Sequence, residues 1–162
     1  QSGIFERLQR AGADQTIVLK PDDGRLAALL GNCDRVIVDA PCTGSGTWRR
    51  KPDAKWRLTE KQLQARQEEQ QIVLEEAAPF VCQEGFLIYM TCSVLAAENE
   101  DSVAGFLNGN PAFELVSAGE VWQDIYGFDK PQPWSADMMS ITLTPASTAT
   151  DGFYFAVMQK VS

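Results

Sequence analysis

The sequence contains no histidine among its 162 residues. This absence excludes Ser-His-Asp triads and histidine-based acid–base catalysis, and it removes most types of zinc site. No two cysteines have the Cys-x-x-Cys spacing, which argues against a zinc ribbon and against a thiol-redox protein of the thioredoxin type. We therefore predict that the protein binds no metal and that its chemistry uses thiols and carboxylates.

Long apolar runs and an excess of positive charge are also missing. No run approaches the roughly 18 apolar residues that a membrane span needs, and residues 1–10 do not have the pattern of a signal peptide. We therefore predict a cytoplasmic protein without a membrane partner. The formal net charge of −8 argues against binding nucleic acid through bulk electrostatics, so any such binding needs a local basic patch.

The chain does contain four cysteines, Cys33, Cys42, Cys82 and Cys92. Two disulfides in a secreted protein are one interpretation, but reduced thiols suit a cytosolic α/β enzyme better. Cys33 precedes a predicted strand and Cys82 lies at the end of a predicted helix, so both are expected to pack as small buried apolar side chains.

Apolar patterns predict an α/β fold. Residues 35–39 and 86–90 are short apolar runs of the kind that form strands buried on both faces. A long helix is predicted between them, beginning where Thr59 and Gln62 fit a capping box. Because a helix joins the two strands, they should be parallel and adjacent. Later strands are predicted at 113–116, 141–143 and 153–158, with helices at 4–11 and 97–107 and an irregular segment at 118–139.

Each of the two buried strands is followed directly by a polar motif with a cysteine. Asp-Ala-Pro-Cys occupies residues 39–42, and Thr-Cys-Ser occupies residues 91–93. Ligands of open α/β sheets bind outside the carboxyl ends of the strands. We therefore expect Asp39, Cys42 and Cys92 to meet in one crevice.

These motifs, at this spacing, resemble those of the Sun/Nop-type (Fmu-like) ribosomal RNA cytosine-5 methyltransferases. Residues 39–46 are similar to motif IV of that family and residues 91–95 to motif VI, while residues 49–56 and 151–154 resemble further family segments. The resemblance extends over about residues 5–160. It implies a Rossmann-like class I fold, S-adenosylmethionine as cofactor and RNA, most naturally ribosomal RNA, as partner.

The resemblance also implies a role for each thiol. Cys92 is the expected nucleophile: its addition to carbon 6 of cytosine makes carbon 5 able to accept a methyl group. Cys42 is expected to assist release, by helping proton removal or elimination, and Asp39 to hydrogen-bond or protonate nitrogen 3. The cytosine-5 DNA methyltransferases offer an alternative in which Cys42 attacks and Cys92 only packs, but their Glu-Asn-Val motif does not match Glu-Asn-Glu at residues 98–100.

Cofactor contacts are implied for Asp23, Asp39 and Pro41. Asp23 belongs to an Asp-Gly-Arg segment similar to motif III of the family. The same residues read equally well as a plain turn, because Pro-Asp-Asp-Gly is a turn sequence.

RNA contacts are predicted for Arg49, Arg50 and Lys51, which directly follow the Cys42 loop and could hold phosphates. Trp48 or Trp56 could stack on a base or line the site. A solvated charged loop is the alternative for this segment.

The Gly-rich motif I of the family and its ribose-binding acidic residue have no counterpart in this sequence. Residues 1–162 are therefore predicted to form one partial methyltransferase domain, truncated before its third strand, that binds cofactor poorly and is inactive alone. Residues 16–19, deprived of their partner strand, should be displaced, pair with the strand at 35–39, or add to another chain through an exposed sheet edge.

A non-catalytic homologue that binds RNA or protein is the alternative function.

Overall fold

A computed structural model describes residues 2–13, 15–128 and 132–162. The helices are α1 Ser2–Arg10, α2 Pro52–Arg57, α3 Glu60–Ala77, α4 Glu100–Gly109, α5 Ala118–Tyr126 and α6 Pro145–Thr148. The strands are β1 Cys33–Asp39, β2 Val81–Thr91, β3 Phe113–Leu115, β4 Ser140–Leu143 and β5 Phe153–Lys160. Short 3₁₀ turns occupy Gly24–Leu29, Ser45–Thr47, Ala78–Phe80 and Ala96–Glu98. None of the described helices is both long and apolar enough to cross a membrane.

The strands form one mixed sheet in the order β1-β2-β5-β3, with β4 also paired to β5. β1 and β2 are parallel and adjacent, which confirms the expectation drawn from the helix between them. β5 runs antiparallel to β2, β3 and β4, so the predicted antiparallel finish is also confirmed. The predicted capping box is present, since Thr59 and Gln62 exchange hydrogen bonds at the start of α3.

The hydrophobic core lies between one face of the sheet and helices α3 and α4. Along β2 the buried residues alternate, and Leu87 and Tyr89 point into this core while Phe86 and Ile88 point to the other face. Leu74 of α3 and Phe106 of α4 are fully buried against them. Burying a side chain of this size contributes about 1.5–3 kcal/mol, so this layer fixes the positions of β1, β2 and their helices.

β1 is not buried on both faces, and that prediction is wrong. Ile37 is 62% exposed, and Val38 is the buried side chain of the strand. The reason is that α3 packs against the face of β1 that carries Val38, while the face that carries Ile37 stays largely uncovered. A continuous apolar run therefore marked a strand correctly without indicating how many layers cover it.

For two other segments the structure either selects one of the predicted alternatives or differs from the prediction. Residues 16–19 form no strand; Ile17 is 70% exposed, which agrees with the displaced alternative. The segment at 118–139 is not wholly irregular, because its first part forms α5; residues 129–131 of it lie outside the described residues. Trp122 and Tyr126 stack one turn apart in α5, with ring centroids separated by 4.6 Å.

Candidate active site

The two thiols predicted to share a crevice lie in contact. Cys42 Sγ and Cys92 Sγ are 3.4 Å apart, both are half-buried, and both are free rather than disulfide-bonded. The sheet produces this contact, because Asp39 at the end of β1 is in register with Met90 of β2. The loops that follow the two strands therefore start at the same level and can bring their cysteines together.

Backbone and hydroxyl hydrogen bonds fasten one cysteine loop to the other. The Gly46 N–H donates to the carbonyl of Cys92 at 2.9 Å. Ser45 and Ser93 join through their hydroxyls at 2.9 Å, and the N–H of Val94 donates to the Ser45 hydroxyl at 2.9 Å. The separation of the thiols is thus set by direct links between their own loops.

A buried carboxylate, Glu98, makes the strongest of these links. It is fully buried and accepts hydrogen bonds from the Thr43 N–H at 2.7 Å, the Thr43 hydroxyl at 2.6 Å and the Ser93 hydroxyl at 2.5 Å. Gln70 of α3 donates to the Pro41 carbonyl at 2.9 Å and to Glu98 at 3.2 Å. Hydrogen bonds to a charged acceptor are shorter and stronger than neutral ones.

Neither Gln70 nor Glu98 was given a role by the sequence analysis. Residues 60–71 of α3 are polar apart from Leu63 and Ala65, yet Gln70 is fully buried. One signal was available: Gln70 lies four residues before Leu74, on the helix face that packs on the sheet. For Glu98 the signal was its place just after residues 91–95, the segment that resembles a family motif.

The Cys42 thiol is held in its protonated form. Burial raises its pKa to about 12; the backbone N–H of Gly44 opposes this shift, and the hydrogen bond with Cys92 adds to it. At neutral pH Cys42 therefore carries its proton and can donate it toward the Cys92 sulfur. This state suits a group that assists a neighbouring sulfur better than one that itself attacks, because the thiolate is the nucleophilic form.

The residues expected at a cofactor are spread along the edge of the sheet. Asp39 is exposed at the end of β1, and Pro41 is half-buried with its carbonyl bound by Gln70. Asp23 caps the turn at Gly24–Leu29 and pairs with Arg25 at 2.7 Å, which lowers the pKa of Asp23 to about 2. These local contacts are the ones expected if the segment around Asp23 forms only a turn.

The basic segment after Cys42 divides into two parts. Arg50 forms an ion pair with Asp151 at 2.5 Å, and Arg49 approaches the same carboxylate at 3.9 Å. The Asp151 side chain is only 14% exposed. Lys51 instead lines a cleft of about 390 Å³ beside Cys42. Trp56 is 81% exposed, whereas the Trp48 indole N–H is buried without a partner among the described residues.

A close approach of two glycines completes the loop arrangement. The Gly152 N–H donates to the Gly46 carbonyl at 2.8 Å, and a Cβ added to either glycine would collide with the backbone of the other. The Asp151–Gly152 pair therefore has a structural function, with the carboxylate holding the arginines and the glycine holding the Cys42 loop.

The remaining cysteines lie away from this site. Cys33 and Cys82 were expected to pack as small buried side chains, and both are half-buried. Cys82 Sγ lies 3.8 Å from a carboxylate oxygen of Asp34 at the opposite end of the sheet. No group of side chains suited to a metal ion occurs among the described residues.

The fold and the paired thiols together define a class of protein. A parallel strand pair joined by a helix, an antiparallel last strand and functional loops at the carboxyl ends correspond to part of a Rossmann-like class I methyltransferase domain of the Sun/Nop type. A profile of the family described as 16S rRNA methyltransferase RsmB/F matches residues 2–159. The chain belongs to this family, whose members depend on S-adenosylmethionine.

Curated relatives and solved structures agree with the family assignment. The chain is 32% identical over 160 residues to ribosomal RNA small subunit methyltransferase B of Erwinia tasmaniensis, and 31% identical over 162 residues to that of Salmonella agona. These matches cover 97% and 98% of the chain but 33% and 34% of the relatives, so the chain spans about a third of their length.

Two solved structures from Pyrococcus horikoshii share the fold. NSun6, solved with the S-adenosylmethionine analogue SFG, has a TM-score of 0.70 at 25% identity, covering 97% of this chain and 38% of that one. A methyltransferase homologue has a TM-score of 0.65 at 25% identity, covering 94% of this chain and 47% of that one.

Proposed function

We propose that this chain supplies the thiol pair of an enzyme that methylates carbon 5 of a cytosine in ribosomal RNA, in the cytoplasm. One observation carries the proposal: two cysteines from adjacent parallel strands place their sulfurs 3.4 Å apart at the carboxyl end of the sheet. A single nucleophile does not require a second thiol in contact with it. An addition followed by an elimination at the same sulfur gives the second thiol a function.

Cys92 is the proposed nucleophile. Its thiolate forms a bond to carbon 6 of cytosine, and the electron pair of the double bond between carbons 5 and 6 moves onto carbon 5. A hydrogen bond or proton at nitrogen 3, for which the exposed Asp39 at the end of β1 is the candidate, stabilises the ring as charge develops. When bound, S-adenosylmethionine supplies the methyl group that carbon 5 accepts.

Cys42 is proposed to act in release. A water molecule accepts the carbon-5 proton, the electron pair of that carbon–hydrogen bond restores the double bond between carbons 5 and 6, and the bond between Cys92 Sγ and carbon 6 breaks with its electrons going to the sulfur. A protonated Cys42 within 3.4 Å can donate a hydrogen bond to that leaving thiolate. The raised pKa supports this role over that of a general base for the carbon-5 proton, which would require the thiolate of Cys42.

Cofactor contacts at Asp39, Pro41 and Asp23 remain part of the proposal, but this chain alone is not expected to be active. The test therefore uses a chimaera in which the chain replaces the matching third of the Erwinia tasmaniensis relative. The chimaera is incubated with S-adenosylmethionine and unmodified small-subunit ribosomal RNA, and the nucleosides are analysed by mass spectrometry.

The expected product is 5-methylcytosine, absent with Cys92→Ala and present with Cys82→Ala as the matched cysteine control. A folded chimaera that binds the RNA but yields no methylated cytosine would instead indicate the non-catalytic RNA-binding homologue. Methylation at another atom of the base would contradict the proposed chemistry directly.

A further inference from the structure

Positive charge is concentrated in one segment of an acidic chain. Seven of the 14 Lys and Arg residues lie between residues 48 and 66, compared with two of the 22 Asp and Glu residues. The remainder of the chain is strongly acidic and would repel a polyanion. Residues 48–66 are therefore the segment whose charge best suits contact with nucleic acid phosphate.

Part of this charge lines the cleft of about 390 Å³ beside the thiols. Cys42 and Thr43 form its inner wall, and the outer wall comes from α2 and the start of α3. The charged residues of the lining are Lys51, Asp53, Arg57 and Arg66. Three cations and one carboxylate give this cleft a net positive charge next to a proposed catalytic sulfur.

The cations of the cleft differ from Arg49 and Arg50 in what they bind. Arg49 and Arg50 share the poorly exposed carboxylate of Asp151. For Lys51 and Arg57, the described part of the chain offers no ion pair. Arg66 pairs with Glu69 one turn away, but both side chains are nearly half exposed, and such a surface pair contributes little.

We propose that Lys51, Arg57 and Arg66 hold the backbone phosphate of a nucleotide adjoining the target cytosine, and that Arg49 and Arg50 position the loop instead. This inference rests on the proposed function, since it takes RNA as the substrate. The planar guanidinium groups of Arg57 and Arg66 suit a phosphate, which accepts two parallel hydrogen bonds from each. A strand held here directs the neighbouring base toward Cys42 and Cys92.

The test measures RNA affinity, so it does not depend on methyl transfer. The 162-residue chain is titrated with a fluorescent single-stranded RNA oligonucleotide over a range of salt concentrations. The logarithm of the affinity falls as the logarithm of the salt concentration rises. Each phosphate contact in single-stranded RNA makes this slope steeper by about 0.7, so lowering the salt from 1 M to 0.1 M raises the affinity about fivefold per contact. Arg57→Gln and Arg66→Gln should each make the slope shallower by about 0.7 and weaken binding at 0.1 M salt by about fivefold.

Two controls separate this inference from a general effect of charge. Lys61→Gln removes a cation from α3 outside the cleft and should leave the slope nearly unchanged. Arg50→Gln should lower the melting temperature, because it removes the partner of Asp151, with a smaller effect on the slope than Arg57→Gln. Unmodified protein that binds no RNA at low salt, or equal slopes for Arg57→Gln and Lys61→Gln, would overturn the inference.

Failure of this inference is distinguishable from failure of the proposed function. If Arg57→Gln and Lys61→Gln have equal salt slopes but the chimaera still produces 5-methylcytosine, the phosphate is held elsewhere and the proposed chemistry is unaffected. If the slopes fall as expected but no methylated cytosine forms, the cleft binds RNA in a protein that does not methylate it.

Discussion

The Glu98 side chain connects both cysteine loops to the helical layer. Its carboxylate accepts from Thr43 and Ser93, and Gln70 of α3 completes its surroundings. A carboxylate that is fully buried is tolerated only when such donors surround it. The site is thus organised around a buried, hydrogen-bonded carboxyl group that does not belong to the thiol pair.

Replacing Glu98 should loosen the thiols as well as destabilise the fold. Glu98→Ala leaves several buried donors unpaired and is expected to cost about 3–5 kcal/mol of unfolding free energy. Glu98→Gln keeps the shape and should cost less. Oxidised glutathione should convert the two free thiols into a disulfide between Cys42 and Cys92. This disulfide should form more slowly in both variants than in the unmodified protein, because the two sulfurs are held together less firmly.

The matched control for this prediction is Glu100→Gln, an exposed carboxylate in the first turn of α4. It should leave both the stability and the rate of disulfide formation nearly unchanged. If Glu98→Gln formed the disulfide as fast as Glu100→Gln, the carboxylate would not set the separation of the sulfurs.

The protonation of Cys42 predicts a specific alkaline instability. Its pKa is raised from 9.0 in its ordinary state to about 12 in the fold, so the unfolded chain loses this proton first. The contribution is fully present below pH 9 and is lost as the pH rises from about 9 to about 12. Unfolding free energies measured across this range should fall less steeply for Cys42→Ala than for the unmodified protein.

Burial also raises the pKa values of Tyr89 and Tyr154, but this effect of burial is present in both proteins, and the charge of Cys42 is only a minor cause at Tyr89, so the comparison still isolates Cys42. Parallel alkaline slopes for the two proteins would mean that Cys42 is not held protonated by the fold.

At the scale of elements, the contact between the Cys42 loop and the segment before β5 limits which residues the loop can accept. A Cβ on Gly46 would meet the backbone of Gly152, which cannot move aside as a side chain can. We expect Gly46→Ala to cost at least about 1–3 kcal/mol, the usual penalty of overpacking. Urea unfolding measures this directly.

Gly24→Ala is the control, because an added Cβ there meets nothing within 4 Å. It should change stability by no more than about 0.5 kcal/mol. Equal effects of the two substitutions would show that the glycine contact is not tight in solution.

The elements themselves were largely predictable, and the reasons are local. Apolar runs, the Thr59 capping box and the helix between two strands predicted β1, α3 and β2 with their parallel order. For Gln70 only the four-residue spacing from Leu74 indicated burial; its hydrogen-bond partners could not be predicted, because they approach from distant parts of the chain. α5 was missed because Gly119 and its aromatic residues are weak helix formers, while its Trp122–Tyr126 contact is visible only once the helix exists.

At the scale of the whole molecule, the face of the sheet opposite α3 and α4 is partly open. Ile37, Ile125 and Phe128 are 62%, 65% and 71% exposed. One edge of β1 is also without a partner strand among the described residues. Open edges and apolar surface favour association, so self-association of this chain stays a prediction.

Ile37→Lys should weaken that association, because it places a charge on β1 where a second chain would add. Sedimentation velocity over a range of concentrations gives the readout. Ile72→Lys is the matched control: Ile72 is 55% exposed on α3, away from β1. A monomer at all concentrations, or equal effects of the two substitutions, would contradict the prediction.

The most direct test of the thiol pair identifies the cysteine that becomes bonded to RNA. Cys42→Ala and Cys92→Ala are introduced into the chimaera, each protein is incubated with S-adenosylmethionine and small-subunit ribosomal RNA, and covalent complexes are separated under denaturing conditions. The account predicts that Cys42→Ala accumulates an adduct mapped by mass spectrometry to Cys92, and that Cys92→Ala forms none. An adduct on Cys42 in the Cys92→Ala protein, with none in Cys42→Ala, would reverse the two roles.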